Sequence, residues 1–247
     1  MRHLTSEEII RREYSDPAQI AKYRTVGLWK SEETLVDRFF PAKGAILDIG
    51  CGAGRTTIAL ARKGFRVTAV DLMPEMVQPA SQQARDHVVS ITFHVMDVSD
   101  LALPAGSFDG ALFSFNGYES IPSPERRQAA LEAVCRVLKP GACFILTARS
   151  GIAFGRRWAA WVWIAFRQIA LKPLRLANPH LQFGDMYRRG MLQLYMSPFS
   201  LRRDLKRCGF TVELFNGSRN LDRGRRATFF TNFSPDPCLF YVARKVR

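Results

Sequence analysis

The sequence predicts an α/β fold: a seven-stranded, mostly parallel sheet with helices on both faces, an N-terminal helical cap and an insert after strand five. Three observations carry that expectation. Short apolar runs and helical segments alternate five times between Ala45 and Ala148, the pattern of parallel strands covered on both sides. Two more strand-like runs close the chain at 210–215 and 239–243. The 247 residues, 47% hydrophobic and 23% charged, suit one large domain with a sizeable core and exclude a mainly disordered or low-complexity chain.

The elements follow in order. Residues 5–40 read as two or three short helices, with Ser31 as an N-cap and Leu35, Phe39 and Phe40 on an apolar face. Pro41 and Gly44 break this pattern, and 45–49 is a buried strand ahead of a glycine cluster. A helix over 56–63 stops at Gly64, and strand two covers 65–70. Pro74 opens a second helix to Asp86, which Pro79 is expected to kink or delay. Strands three and four cover 91–96 and 108–115. Ser123-Pro124 starts a helix that ends at Lys139-Pro140-Gly141, and strand five covers 143–148. The alternation fails over 150–196, resumes with a Ser197-Pro198 helix closed by Gly209, and leaves 216–237 as a long loop.

Charge is distributed unevenly. Lys plus Arg is 36 and Asp plus Glu is 22, net +14. Residues 1–150 hold 18 basic and 17 acidic residues; residues 151–247 hold 18 and 5, net +13. Such asymmetry points to an anionic partner, against the plainer alternative of an Arg-rich soluble surface. The five cysteines form no CxxC pair and meet no His at finger spacing, which argues against a zinc site and fits a reducing cytoplasm. The first residues carry no apolar secretory core, and no apolar run reaches membrane-spanning length.

The chemistry-bearing motif is AILDIGCGAGRTTIAL, residues 45–60. Asp48 ends a strand, and Gly50, Gly52 and Gly54 make a turn that feeds a helix, where a ligand can approach the backbone closely. Asp71 ends the next strand, placed to accept both hydroxyls of a ribose or to serve as an ordinary strand-end acid. A dinucleotide fingerprint needs its third glycine where this chain has Arg55, and Asp48 would repel a pyrophosphate.

With LDIGCGAG, VTAVDLMPEM, the Asp97 segment VMDVSDLALPAGSFDGALFS and RVLKPGACFILT in this order, the chain resembles the class I S-adenosylmethionine-dependent methyltransferases, in particular the type 11/25 small-molecule set with its Rossmann-like sheet. The resemblance runs from about Gly44 to Ala148 and resumes weakly after Ser197. It implies one methyltransferase domain: a helical cap (1–42), a cofactor-binding core (43–150), an insert or lid (151–196) and a C-terminal helix with strands (197–247). It implies that Asp48, Gly50, Gly52 and Gly54 line the methionine end of the cofactor, that Asp71 holds the ribose, and that Leu72 and Met73 pack on the adenine. It further implies that Asp97 and Val98 meet the adenine edge, Asp97 having a loop cap as its alternative role, and that Ser114 faces the sulfonium.

Methyl transfer from a sulfonium is an in-line displacement, needing a base only when the nucleophile arrives protonated. Tyr118 and Glu119, just after strand four, and His180 in the insert are candidates, each with an ordinary surface role as its alternative. Metal is not expected, since Ser114, Phe115 and Asn116 stand where metal-assisted relatives place carboxylates. The acceptor is expected to be small and hydrophobic or lipid-like. RNA or protein methylation through the basic C-terminal region, and non-catalytic cofactor binding, are the alternatives. Nucleic-acid amino-methylating motifs are absent from FSFNGYES, residues 113–120. The segment 154–175 puts Trp158, Trp161, Val162, Ala165 and Ile169 on one helical face flanked by arginines, which suits either a lid helix or an interfacial helix touching an anionic membrane.

Overall fold

The computed structural model describes residues 5–153, 156–174, 185–188, 191–194 and 196–246. Three helices, α1 (Ser6–Tyr14), α2 (Pro17–Lys22) and α3 (Lys30–Phe39), precede the sheet. β1 (Ala45–Ile49), α4 (Arg55–Arg62), β2 (Arg66–Asp71), α5 (Pro74–Asp86), β3 (Ile91–Val95), β4 (Phe108–Phe113), α6 (Pro124–Val137) and β5 (Leu138–Ala148) alternate as the sequence predicts. After α7 (Arg156–Phe166), β6 (Asp185–Arg188) and β7 (Met191–Leu194) come α8 (Pro198–Arg207), β8 (Phe210–Gly217), α9 (Ser218–Asp222) and β9 (Leu239–Lys245).

Seven strands form one sheet in the order β3-β2-β1-β4-β5-β9-β8. β9 runs antiparallel to both its neighbours, and the other pairs are parallel. Leu239 pairs with Ala148 and with Gly217, so the segment joining β8 to β9 leaves and returns at the carboxyl edge of the parallel strands. Ligands of open α/β sheets bind at this edge.

Alternation along each strand sends neighbouring side chains to opposite layers. Leu47, Leu146 and Tyr241 pack with Leu131 and Val134 of α6 and Leu201 and Leu205 of α8. Ile46, Ile145 and Val242 pack on the other side with Leu35 and Val36 of α3 and Leu60 of α4.

Four local readings are corrected. Ser31 is buried and does not cap α3; Trp29 is the N-cap, and Glu32 takes its N–H at 2.7 Å. Pro79 does not delay α5, which starts at Pro74 and runs through it. A proline this close to the start leaves only the Glu75 carbonyl without its helical partner. The insert contains a two-stranded hairpin, β6–β7, whose second strand packs on α1 and on the 3-10 turn Gly117–Ser120. The predicted loop after β8 holds α9 and a 3-10 turn, Phe229–Phe233. His180 and the side chains of Trp158 and Trp161 lie outside the described residues. Among the described residues no helix is long and apolar enough to cross a membrane.

Candidate active site

The carboxyl ends of β1, β2 and β4 open into a cavity roofed by α1 and by Tyr23, just past α2. Its floor is the glycine turn. Gly50 and Gly52 both adopt positive φ (61° and 52°), and a Cβ on Gly50 would lie 2.9 Å from the Phe113 ring. The Cys51 N–H bonds to the Val70 carbonyl at 3.1 Å, fixing the turn to the adjacent strand. Asp71 completes the tie: its carboxylate accepts the N–H of Gly52 at 2.8 Å and of Met73 at 2.9 Å. Burial raises the Asp71 pKa, and these backbone donors oppose the rise. Asp71 therefore organises the turn as well as lining the cavity.

Leu72, Met73, Asp97 and Val98 line the same wall. Asp97 has both predicted features at once: it faces the cavity and caps a 3-10 turn, accepting the N–H of Ser99 at 2.8 Å and its hydroxyl at 2.7 Å. Its other oxygen meets Arg126, whose second nitrogen reaches Glu7 of α1. Burial pushes the Asp97 pKa up, but Ser99 and Arg126 outweigh it, and the carboxyl titrates below its usual range. The roof is thereby latched across Glu7, Arg126 and Asp97. Tyr14 adds a second tie at 3.0 Å to Ser120.

At the other end Ser114 faces the cavity, but its hydroxyl is engaged by Glu32. Glu32, fully buried on α3, also takes both terminal nitrogens of Arg55, at 2.8 and 2.6 Å. The Arg55 guanidinium lies 4.8 Å from the centre of the Trp29 ring and 5.9 Å from that of Phe115. Phe115 itself has positive φ (53°) and packs edge-on against Tyr23 at 5.5 Å. The mouth is thus an aromatic wall backed by a buried ion pair.

Not every predicted residue is at the wall. Asp48 lies beneath it: one oxygen accepts the hydroxyls of Thr56 and Thr57 at 2.7 and 2.5 Å, and the other has no protein partner. Burial raises its pKa to about 6. Gly54 turns away as the N-cap of α4, where a Cβ would crowd Ile58 and Ala80 at 3.2 and 3.3 Å. Its role is the close approach of α4 to α5. Tyr118 is buried in the core, where desolvation raises its pKa, and Glu119 holds Arg149 at 2.8 Å. Neither side chain lines the cavity, although their neighbours Gly117 and Ser120 do. The reasoning from sequence missed Tyr14, Tyr23, Glu32, Arg55 and Arg126. Two tyrosines in a short polar N-terminal segment were the available hint.

A profile of the family described as "Methyltransferase domain" matches residues 46–141. Residues 46–141 are a methyltransferase domain of this family. A ubiquinone biosynthesis O-methyltransferase of Xanthomonas axonopodis pv. citri is 39% identical over 111 residues, 44% of this chain and 45% of that protein. One from Xanthomonas oryzae pv. oryzae is 38% identical over 107 residues, 43% of each. The chain thus aligns with less than half the length of these curated relatives. Among solved structures, a methyltransferase of Methanosarcina mazei superposes with TM-score 0.66 at 24% identity, covering 90% of this chain and 99% of that one. A Haemonchus contortus phosphoethanolamine N-methyltransferase, solved with S-adenosylhomocysteine, gives 0.67 at 16%, covering 99% of this chain and 61% of that one. The cyclase SpnF gives 0.65 at 17%, covering 100% and 98%. These likenesses establish the fold.

The methyltransferase domain's cavity fits S-adenosylmethionine. At Gly52 a Cβ would find nothing nearer than Tyr23 at 3.7 Å, so the glycine leaves its backbone open to the cavity. Each Asp71 oxygen accepts one backbone N–H, and a carboxylate oxygen has a further lone pair for a ribose hydroxyl. Among the described residues no cluster of His, Cys, Asp and Glu is arranged to hold a metal.

Proposed function

We propose that the chain transfers a methyl group from S-adenosylmethionine to a small, apolar or lipid-like acceptor by in-line displacement. The observation that carries this reading is the mouth of the cavity. Tyr23 and Phe115 line it, with Trp29 packed against Phe115 behind them, while the nearby charges of Glu32 and Arg55 are spent on each other. When bound, the cofactor supplies an electrophilic methyl on a sulfonium. The chain's own residues would hold it by the glycine turn and Asp71, with Asp97 and Met73 flanking the base.

Burial raises the pKa of Tyr14 and of Tyr23, so both hydroxyls stay protonated at neutral pH and orient an acceptor rather than deprotonate it. The roof of α1 and hairpin β6–β7 would exclude water from the reacting atoms. The names of the Xanthomonas relatives, matched over less than half of each chain, favour an oxygen nucleophile on a small molecule. The exposed apolar side of α7, within 154–175, would bring the mouth to an anionic membrane from the cytoplasmic side. RNA or protein methylation, the alternative, draws its support from the +13 charge of residues 151–247.

The test is to incubate the chain with methyl-labelled S-adenosylmethionine and a cell extract, then separate organic-soluble, RNA and protein fractions. Label is expected in the organic phase. Label confined to RNA or protein would overturn the acceptor assignment, and SpnF shows that the fold alone does not guarantee methyl transfer.

A further inference from the structure

The β8–β9 connection carries a feature that the cofactor site does not use. Residues 222–230 are exposed throughout, and at their end Phe229 and Phe230 stand 66% and 70% open to solvent. This is not a frayed tip. Asp236, buried, accepts the Ser218 hydroxyl at 2.5 Å and the N–H groups of Arg219 and Cys238 at 3.0 and 3.2 Å. Asn232, also buried, donates to the Phe229 carbonyl at 2.7 Å and accepts from Arg202 of α8 at 2.8 Å. Ser150, at the end of β5, bonds the Asn232 carbonyl. A pinned base thus pushes two phenylalanines outward, with the Phe199 ring tilted against Phe229 at 6.5 Å between centres.

Leaving large rings in water on a rigid pedestal is unfavourable unless something covers them. Arg223, Arg225 and Arg226 lie exposed beside them, and among the described residues none of the three is paired with a carboxylate. The same rim holds the insert, whose ends meet where the Gly151 N–H bonds the Met196 carbonyl at 2.8 Å. Val162 and Phe166 are exposed one turn apart on α7, and Ile169, in the π-helical turn Arg167–Leu171 that continues it, is 76% open.

We propose that Phe229, Phe230 and the three arginines form a second seat on an anionic lipid surface, turning the mouth of the cavity toward the bilayer. The inference rests on the proposed membrane contact of α7, but uses residues that contact does not involve. Charge complementarity selects the occupant. Residues 151–247, net +13, repel a second copy of themselves and attract acidic headgroups. Nucleic acid would match the charge, but the aliphatic members of the rim, Val162, Ile169 and Leu174, offer it no stacking face, whereas acyl chains accept aliphatic and aromatic groups alike.

The test is flotation of the full chain with phosphatidylcholine vesicles with and without phosphatidylglycerol, at low and high salt. The chain should float with the anionic vesicles and lose most of that binding at high salt. F229S/F230S should weaken partition by about tenfold or more, and R223E/R225E/R226E should abolish the preference for anionic over neutral vesicles. All five side chains are exposed, so melting temperature and calorimetric affinity for S-adenosylhomocysteine should stay unchanged in both variants. Unchanged flotation of F229S/F230S would overturn the proposal. So would equal binding to neutral vesicles, a salt-sensitive RNA complex that displaces vesicles, or a dimer that F229S/F230S dissolves. Because this readout needs no acceptor, a failed transfer assay leaves it standing, and the reverse also holds.

Discussion

The two halves of this chain spend their charges differently. Around the cavity they are turned inward and paired: Arg55 with Glu32, Arg126 with Asp97 and Glu7, and Asp71 with the backbone of the turn it organises. Around the β5–β9–β8 side of the rim they are turned outward beside exposed phenylalanines. The first arrangement fixes one geometry, because a buried charge stripped of its partner is expensive. The second fixes nothing in the fold and is available to a partner.

Substitutions should therefore separate the halves. Arg55→Ala leaves Glu32 buried beside Ser114 without its counter-charge, at a cost of about 3–5 kcal/mol. Urea titration should show that loss directly. Arg223→Ala on the rim should move stability by no more than about 0.5 kcal/mol. Comparable losses from the two would erase the distinction.

Asp48 sharpens the comparison through pH. Its folded pKa of about 6 lies above the ordinary value of 3.8, because burial disfavours the charged form. The group's favourable contribution is therefore complete below about pH 4 and lost as pH rises through 6. The span is on the order of 3 kcal/mol. In Asp48→Asn thermal melts should lose that slope, and above neutral pH the variant should be at least as stable as the parent. A slope that survives would place the titration elsewhere.

The latch is the smallest effect. Glu7 and Arg126 are partly solvent-exposed, so their ion pair is worth less than about 1 kcal/mol. Glu7→Gln should speed release of S-adenosylhomocysteine by no more than about fivefold in stopped-flow measurements, with the melting temperature unchanged.

What could be read from the sequence follows the range of the interactions. Strand and helix order was legible because each element is set by local periodicity, and the glycine turn with Asp71 because close ligand approach demands that spacing. The family resemblance puts Asp48 and Gly54 at the methionine end, but a position in a motif does not say which way a residue faces. Asp48 turns under the wall to two threonine hydroxyls, and Gly54 faces α5. The Arg55–Glu32 pair and the Tyr14–Ser120 contact join residues 23 and 106 positions apart. No local pattern records such pairings. The hairpin β6–β7 went unrecognised because two four-residue strands carry too little periodicity to stand out.

The central claim is that the inward-facing half holds S-adenosylmethionine through Asp71 and the glycine turn. Isothermal titration with S-adenosylhomocysteine tests it most directly, comparing the parent chain, Asp71→Ala and F229S/F230S. Loss of a charge-assisted contact to two hydroxyls costs on the order of 1.5–3 kcal/mol, so Asp71→Ala should bind at least about tenfold more weakly. It should also melt lower, since the Gly52 and Met73 N–H groups lose their acceptor. F229S/F230S should bind as the parent does. Equal affinity in the parent and a folded Asp71→Ala would contradict the account.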